Sequence, residues 1–147
     1  MNALGVILAG GQAQRMGGID KGRLKIGDAS ILEIIIKCLN FQLDKIVLNA
    51  NGDLTRFSDL EIDVVPDTIK GYVGPLAGIL SGLRFAEQNG FSSILTVASD
   101  TPFFPVDLLS KLSNVSPQQS ALISIAATKQ KDKLIRHPTF GLSLIHI

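Results

Sequence analysis

The apolar run Leu4-Gly-Val-Ile-Leu-Ala9 leads straight into Gly10-Gly11, and this junction constrains the chain more than any other segment. An uninterrupted apolar run without polar alternation is the pattern of a strand buried on both faces, and the two glycines end it in a tight loop. Downstream, Ser30 followed three residues later by Glu33 is a capping box. Ile31, Leu32, Ile34, Ile35, Ile36 and Leu39 then give the wide apolar face of a well-buried helix. Lys45–Ala50, Ile62–Val65 and Ser93–Ala98 read as further strands, each ending in polar or turn-forming residues. Gly71–Pro75 reads as a loop with Pro75 at a helix start, and the helix Leu76–Asn89 closes at Gly90. After a Ser/Pro/Gln-rich connection at 113–120, Ala121–Ala126 reads as another strand, and Lys129–Lys133 as a solvated turn. The alternation predicts a three-layer α/β domain with a mostly parallel sheet and a Rossmann-like half. The strands of such a sheet send their carboxyl ends to one side, where ligands bind.

Composition narrows the classes of function. A chain of 147 residues, 46% hydrophobic and 18% charged, has the size and apolar content of one domain. Its formal charge of +1 leaves no basic field for a nucleic-acid backbone, and 5% aromatic residues without tryptophan offer no stacking platform. No nucleic-acid partner is expected. Cys38, the single cysteine, lies in an apolar run and is expected to be a packed thiol. Met1–Leu8 has no basic start, and Glu33, Lys37, Asp44 and Lys45 interrupt the longest apolar stretches. No membrane association is expected, and the expected location is the cytoplasm.

The chemistry concentrates in Leu8-Ala-Gly-Gly-Gln-Ala-Gln-Arg-Met-Gly-Gly-Ile-Asp-Lys21. Glycines directly after a buried strand let backbone N–H groups approach a phosphate, while Arg15 and Lys21 can neutralise its oxygens. The segment lacks the Gly-Lys-Ser/Thr of a Walker A loop and the glycine intervals of the dinucleotide fingerprint. Asn49 ends one strand and Asp67 follows another, positions from which a side chain can reach a base or ribose. Gly78 and Gly82 read as sites of close helix packing, and Gly74-Pro75 as a helix N-terminus beside a pocket.

Leu-Ala-Gly-Gly with Arg15-Met-Gly-Gly-Ile-Asp-Lys21 closely resembles the signature of molybdenum cofactor guanylyltransferases, nucleotidyltransferases with a glycosyltransferase-A-like α/β fold. Asn49-Ala-Asn51, Pro66-Asp67, Gly74-Pro-Leu-Ala-Gly78, Ser99-Asp-Thr-Pro102 and His137-Pro-Thr139 follow in that family's order, so the resemblance runs from Leu4 to about Leu142. It implies transfer of GMP from GTP to molybdenum-bound molybdopterin, with magnesium as cofactor and release of pyrophosphate. It also implies that Leu8, Ala9, Gly10 and Gly11 line the nucleotide, Lys21 meets the phosphates, Asn49 and Asp67 contact the nucleoside, and Asp100 holds magnesium. Arg15 is added as a phosphate clamp, which makes Arg15, Lys21 and Asp100 the catalytic set. A carboxylate on the sheet's ligand side would repel a triphosphate unless a cation intervened, which agrees with the role of Asp100. Its structural alternative is a turn or helix N-cap.

Gly10-Gly11 resembles the guanine-specific branch, whereas cytidylyltransferase relatives carry Ala-Ala-Gly there. A sugar-nucleotide pyrophosphorylase shares the fold but fits Gly17–Lys21 less well. His137 is suggested to lie near the acceptor, and His146 has no role. The family pattern continues beyond this chain, and 143–147 do not resemble that continuation. The domain is therefore expected over 1–142, incomplete at its C-terminus, with 143–147 as a foreign tail. A non-catalytic GTP-binding remnant is the alternative. Molybdoenzymes or their chaperones are the expected protein partners, and a monomer the expected state.

Overall fold

The computed structural model describes residues 2–10, 15–16, 19–71, 74–115 and 122–145, and of residues 15, 16, 19 and 20 the backbone alone. In chain order the elements are β1 (Ala3–Leu8), β2 (Arg15–Met16), β3 (Ile19–Asp20), β4 (Lys25–Ile26), β5 (Ala29–Ser30), α1 (Ile31–Asn40), β6 (Ile46–Asn49), β7 (Asp63–Val65), α2 (Pro75–Gln88), β8 (Ser93–Ala98), α3 (Leu108–Ser113), β9 (Ile123–Gln130) and β10 (Lys133–Leu144). Single 3₁₀ segments cover Lys21–Arg23 and Leu54–Leu60. Six strands form one sheet in the order β7-β6-β1-β8-β10-β9. β1, β6, β7 and β8 run parallel, and β10 is antiparallel to both β8 and β9. This is the mostly parallel α/β sheet that the alternation predicts. Among the described residues, no helix is long and apolar enough to cross a membrane.

Every residue of β1 is buried, and the strand's two-residue period divides it between two cores. Ala3 and Ile7 pack with Leu32, Ile35 and Leu39 of α1 and with Leu108 and Leu112 of α3. Leu4, Val6 and Leu8 face the opposite way, against Ala86, Ile79 and Leu83 of α2. Helices therefore cover both faces, giving three layers. Close approach of α2 depends on glycine: a Cβ on Gly82 would lie 2.9 Å from Val6 Cγ2.

The helix boundaries follow local chemistry. Ser30 caps α1, with Oγ accepting from the Glu33 N–H at 3.2 Å, and the Glu33 carboxylate accepts the Ser30 N–H at 2.6 Å. The backbone N–H of Ser30 is the main reason the Glu33 carboxyl lies below its ordinary range. A lowered carboxyl contributes stability that is complete above its ordinary range and is lost as pH falls through the lowered value. Ser30→Ala is expected to lower unfolding free energy by about 1 kcal/mol at neutral pH and, because alanine keeps the backbone N–H, to leave most of the acid-side slope in place. Thermal melts of both proteins between neutral pH and pH 3 check this. Cys38 is half-buried with its thiol directed at the Phe104 carbonyl at 3.8 Å, and burial raises its pKa.

The C-terminal third departs from the sequence reading. The strand expected at Ala121–Ala126 starts at Ile123 and continues to Gln130, and the turn is confined to Lys131-Asp132, where Lys131 has a φ of 54°. Lys129, Gln130 and Lys133, expected in a solvated turn, belong instead to the paired strands of a hairpin. An exposed edge strand carries lysines readily, which explains why its charge resembled a turn. The segments Tyr72–Val73 and 116–121, assigned above to loops and a strand start, lie outside the described residues, as does His146. Ser143 and Leu144 pair with Ile94 and Ser93.

Candidate functional site

The sheet places the sequence motifs side by side. Leu8, at the end of β1, pairs with Asn49 of β6 on one side and with Ala98 of β8 on the other. Just beyond the ladder, the Ala9 N–H donates to the Asn49 carbonyl at 2.8 Å, and the Ser99 N–H donates to the Leu8 carbonyl at 3.2 Å. The chain passes from β1 to β6 and β7 on one side, then crosses to β8 on the other. The carboxyl ends of β1 and β8 thus form a topological switch point, where open α/β sheets hold ligands. A cleft of about 460 Å³ lies there, lined by Leu8, Gly10, Asn49, Asp100, Thr101 and His137 together with Gly74, Pro75, Ala98, Thr139 and Phe140.

Asp100 stands in the turn after β8, exposed, with its Oδ1 accepting from the Thr101 hydroxyl at 3.0 Å. It caps no helix, since the N-cap of α3 is Asp107. A turn aspartate in the cleft wall remains. Because β10 runs antiparallel to β8 with Gly141 opposite Thr96, the residues before Gly141 lie beside the end of β8. The register of β10 against β9 shifts between His137 and Gly141, and His137, Thr139 and Phe140 of this bulge form the facing wall. His137 Nε2 lies 2.9 Å from the Thr128 hydroxyl. Sequence reasoning gave His137 a secondary place near the acceptor, and the structure brings it into the same cleft as Asp100.

Asn49 is buried, and its amide donates to the Val65 carbonyl at 3.1 Å and to Asp67 Oδ1 at 2.9 Å. Its Oδ1 faces Gly10 and Gly78, each too close to admit a Cβ. Asp67 lines a second hollow of about 220 Å³ with Asn51, Ile69, Lys70 and Gly71. Asn51, the last residue of the Asn49-Ala-Asn51 motif and one to which the sequence assigns no role, ties the two hollows together. Its amide N–H groups reach Asp67 Oδ2 at 2.9 Å and the Gly10 carbonyl at 3.1 Å. Helix α2 starts at the cleft, with Gly74 as its N-cap, a residue that has no side chain to cap the first turn, and Pro75 following.

The remaining candidates are placed differently. Ala9 spends its N–H on Asn49 and does not line the cleft, and Lys21 sits half-exposed in the 3₁₀ turn Lys21–Arg23 without lining it. Gly11 lies outside the described residues. Of Arg15 only the backbone is described, paired with Asp20 across β2 and β3. Among the described residues no group of three His, Cys, Asp or Glu could enclose a metal. Asp100 supplies a single carboxylate, which suits magnesium, an ion held by one or two carboxylates with substrate phosphates and water completing its shell. A zinc-type cage would need more protein ligands.

Order and cleft together define a doubly wound α/β domain with its ligand site at the switch point. The chain belongs to the family of MobA-like NTP transferase domains, matching it over residues 5–143. It is 42% identical over 139 residues to a molybdenum cofactor guanylyltransferase of Mesorhizobium japonicum, covering 94% of this chain and 65% of that protein. A protein of the same name from Nitrobacter hamburgensis is 42% identical over 140 residues, with 94% and 65% covered. The chain thus spans about 65% of the length of these curated relatives. Among solved structures, the molybdopterin-guanine dinucleotide biosynthesis protein A of Archaeoglobus fulgidus superposes with a TM-score of 0.64 at 20% identity, over 97% of this chain and 67% of that one. That likeness is one of fold.

Proposed function

We propose that this chain carries the nucleotide-binding part of a molybdenum cofactor guanylyltransferase, a cytoplasmic enzyme that transfers GMP from GTP to molybdenum-bound molybdopterin and releases pyrophosphate. The observation that carries this reading is the convergence of Leu8, Gly10, Asn49, Asp100 and His137 on one cleft at the carboxyl ends of the parallel strands. The names of the curated relatives support the choice of substrate pair. So does Gly10-Gly11, the form that resembles the guanine-specific branch.

In this mechanism an oxygen of the acceptor's terminal phosphate forms a bond to the α-phosphorus of GTP in line, as the bond to the β-phosphate oxygen breaks and pyrophosphate leaves with its electron pair. No protein nucleophile is required. Gly10 lets the backbone approach the phosphates, and Arg15 and, by the family resemblance, Lys21 would balance the negative charge that moves onto the leaving group, Lys21 from a 3₁₀ turn that does not itself line the cleft. The first turn of α2, which its N-cap Gly74 leaves without a side-chain bond, adds its partial positive charge at the cleft wall. Asn49 and Asp67 hold the nucleoside, while His137, oriented by Thr128, stands on the acceptor side. Asp100 would hold magnesium, which when bound neutralises the phosphates and makes the α-phosphorus more electrophilic.

The test incubates the chain with magnesium, molybdenum-loaded molybdopterin and either GTP or CTP, and detects the dinucleotide cofactor and pyrophosphate. Guanylylation supports the reading; transfer of CMP instead would move the chain to the cytidylyl branch. Tight GTP binding with no turnover would make it a non-catalytic nucleotide binder. Lys21→Ala is expected to weaken GTP binding by about 1–3 kcal/mol through loss of one charge-assisted contact, with thermal stability unchanged. Calorimetry on both proteins checks this, and equal affinities would leave Lys21 a surface charge.

A further inference from the structure

We propose that Asn51 is a positioning residue that sets nucleotide preference by fixing the plane of the Asp67 carboxylate. This rests on the reading of the cleft as a guanine-nucleotide site. Asn51 lies in the loop after β6, and its side chain makes three hydrogen bonds, none of them to its own segment. Its Oδ1 accepts the Asp67 N–H at 2.8 Å while its Nδ2 donates to Asp67 Oδ2 at 2.9 Å. The two bonds close a ring between one side-chain amide and both ends of the same aspartate. The second proton on Nδ2 goes to the Gly10 carbonyl at 3.1 Å. The Asn51 carbonyl is in turn held by the Arg56 guanidinium at 2.7 Å, and that guanidinium rests 4.3 Å above the centre of the Phe57 ring.

Asn49 completes the clamp from the other side, donating to Asp67 Oδ1 at 2.9 Å. Each carboxylate oxygen therefore receives one fixed N–H and keeps further acceptor capacity. A carboxylate with its plane fixed in this way can accept two adjacent donors at once. Guanine offers two such donors, N1–H and the 2-amino group, on one edge, whereas cytosine offers one donor beside an acceptor. Discrimination of this kind requires the carboxylate to be held, because a freely rotating Asp67 would meet either base through one bond. Asn51 also joins the Gly10 loop to Asp67, so the phosphate side and the nucleoside side of the site keep their spacing.

The experiment measures GTP and CTP affinities by calorimetry with magnesium on the 147-residue chain, on Asn51→Ala, on Asp67→Ala and on the double variant, with thermal melts alongside. Asn51→Ala is expected to weaken GTP binding by about tenfold, to weaken CTP binding by about twofold or less, and so to narrow the preference. In the Asp67→Ala background the same substitution is expected to cost clearly less GTP affinity than in the parent, since the carboxylate bond is already gone and only the bonds to the residue-67 N–H and the Gly10 carbonyl are left to lose. The near-isosteric Asn51→Asp keeps the acceptor but turns an N–H donor into an oxygen facing Asp67. It should lose at least as much GTP affinity, and it serves if the alanine variant does not fold. Equal, additive losses with and without Asp67, or equal losses for GTP and CTP, would overturn the positioning role. Parent-like GTP affinity in both Asn51 variants would overturn this inference alone, while a parent chain that binds neither nucleotide would overturn the underlying reading as well.

Discussion

Asp100→Asn is expected to leave the fold intact and to abolish most magnesium-dependent GTP binding, with turnover falling on the order of 10²-fold or more. The structural half of this expectation follows from how little Asp100 does for the fold. It is exposed, it is not the N-cap of α3, and its bond from the Thr101 hydroxyl at 3.0 Å is one that an asparagine oxygen accepts equally well. Thermal melting should therefore shift by no more than about 2 °C, the equivalent of roughly half a kcal/mol in a domain of this size. The chemical half follows from charge. An amide keeps the size of the side chain but not the charge that holds a hard cation, and no group of three His, Cys, Asp or Glu is present among the described residues to take over. Titrating magnesium against GTP binding in both proteins gives the answer: superimposable curves would return Asp100 to the role of a turn residue.

The legible parts of the chain were those governed by local rules. β1 could be read because its apolar run is continuous, and the two core faces it feeds are the reason for that continuity. The start of α1 could be read because Ser30 and Glu33 satisfy each other's backbone donors within four residues. The extent of β9 and β10 could not. Lys129–Lys133 is charged because it forms a solvent-exposed hairpin end, and β10 carries Pro138 and Gly141 within a bulge that destroys its alternation. The bulge exists where backbone leaves the ladder to build the cleft wall, so the irregularity that hid the strand is what brings His137 to the site.

The candidate site divides along the same line. Asp100, Asn49 and Gly10 were legible because strand ends in a parallel sheet share one side, whatever the rest of the chain does. Asn51 was not, because its partners are 41 and 16 residues away, and nothing in its own neighbourhood separates it from an ordinary polar loop residue. Gly78 lay between the two cases. Sequence suggested close helix packing, and the structure shows that the surface it packs against is the Asn49 amide of the cleft.

That contact makes Gly78→Ala the second substitution expected to have a large effect. In isolation, alanine in place of glycine inside a helix gains about 1 kcal/mol. Here the added Cβ would overlap Asn49 Oδ1, and it would lie 2.9 Å from Asn49 Cγ and 3.0 Å from Leu8 Cδ2. Asn49 cannot swing away without breaking its bonds to the Val65 carbonyl and to Asp67 Oδ1, and burial would leave its amide without water as a substitute. Either the N-terminus of α2 moves outward or the Asn49 amide turns, and both disturb the cleft, since Gly74, Pro75 and Asn49 all line it. Overpacking of this kind costs about 1–3 kcal/mol, more than the helix gains, so a net loss of up to about 2 kcal/mol is expected, with GTP affinity falling at least about tenfold. Gly82→Ala is the control: its Cβ would meet Val6 Cγ2 at 2.9 Å, one helical turn further along and away from the cleft. Both variants should melt earlier than the parent, but only Gly78→Ala should lose nucleotide. If Gly82→Ala lost GTP affinity equally, the effect would belong to the packing of α2 on the sheet as a whole rather than to the Asn49 amide.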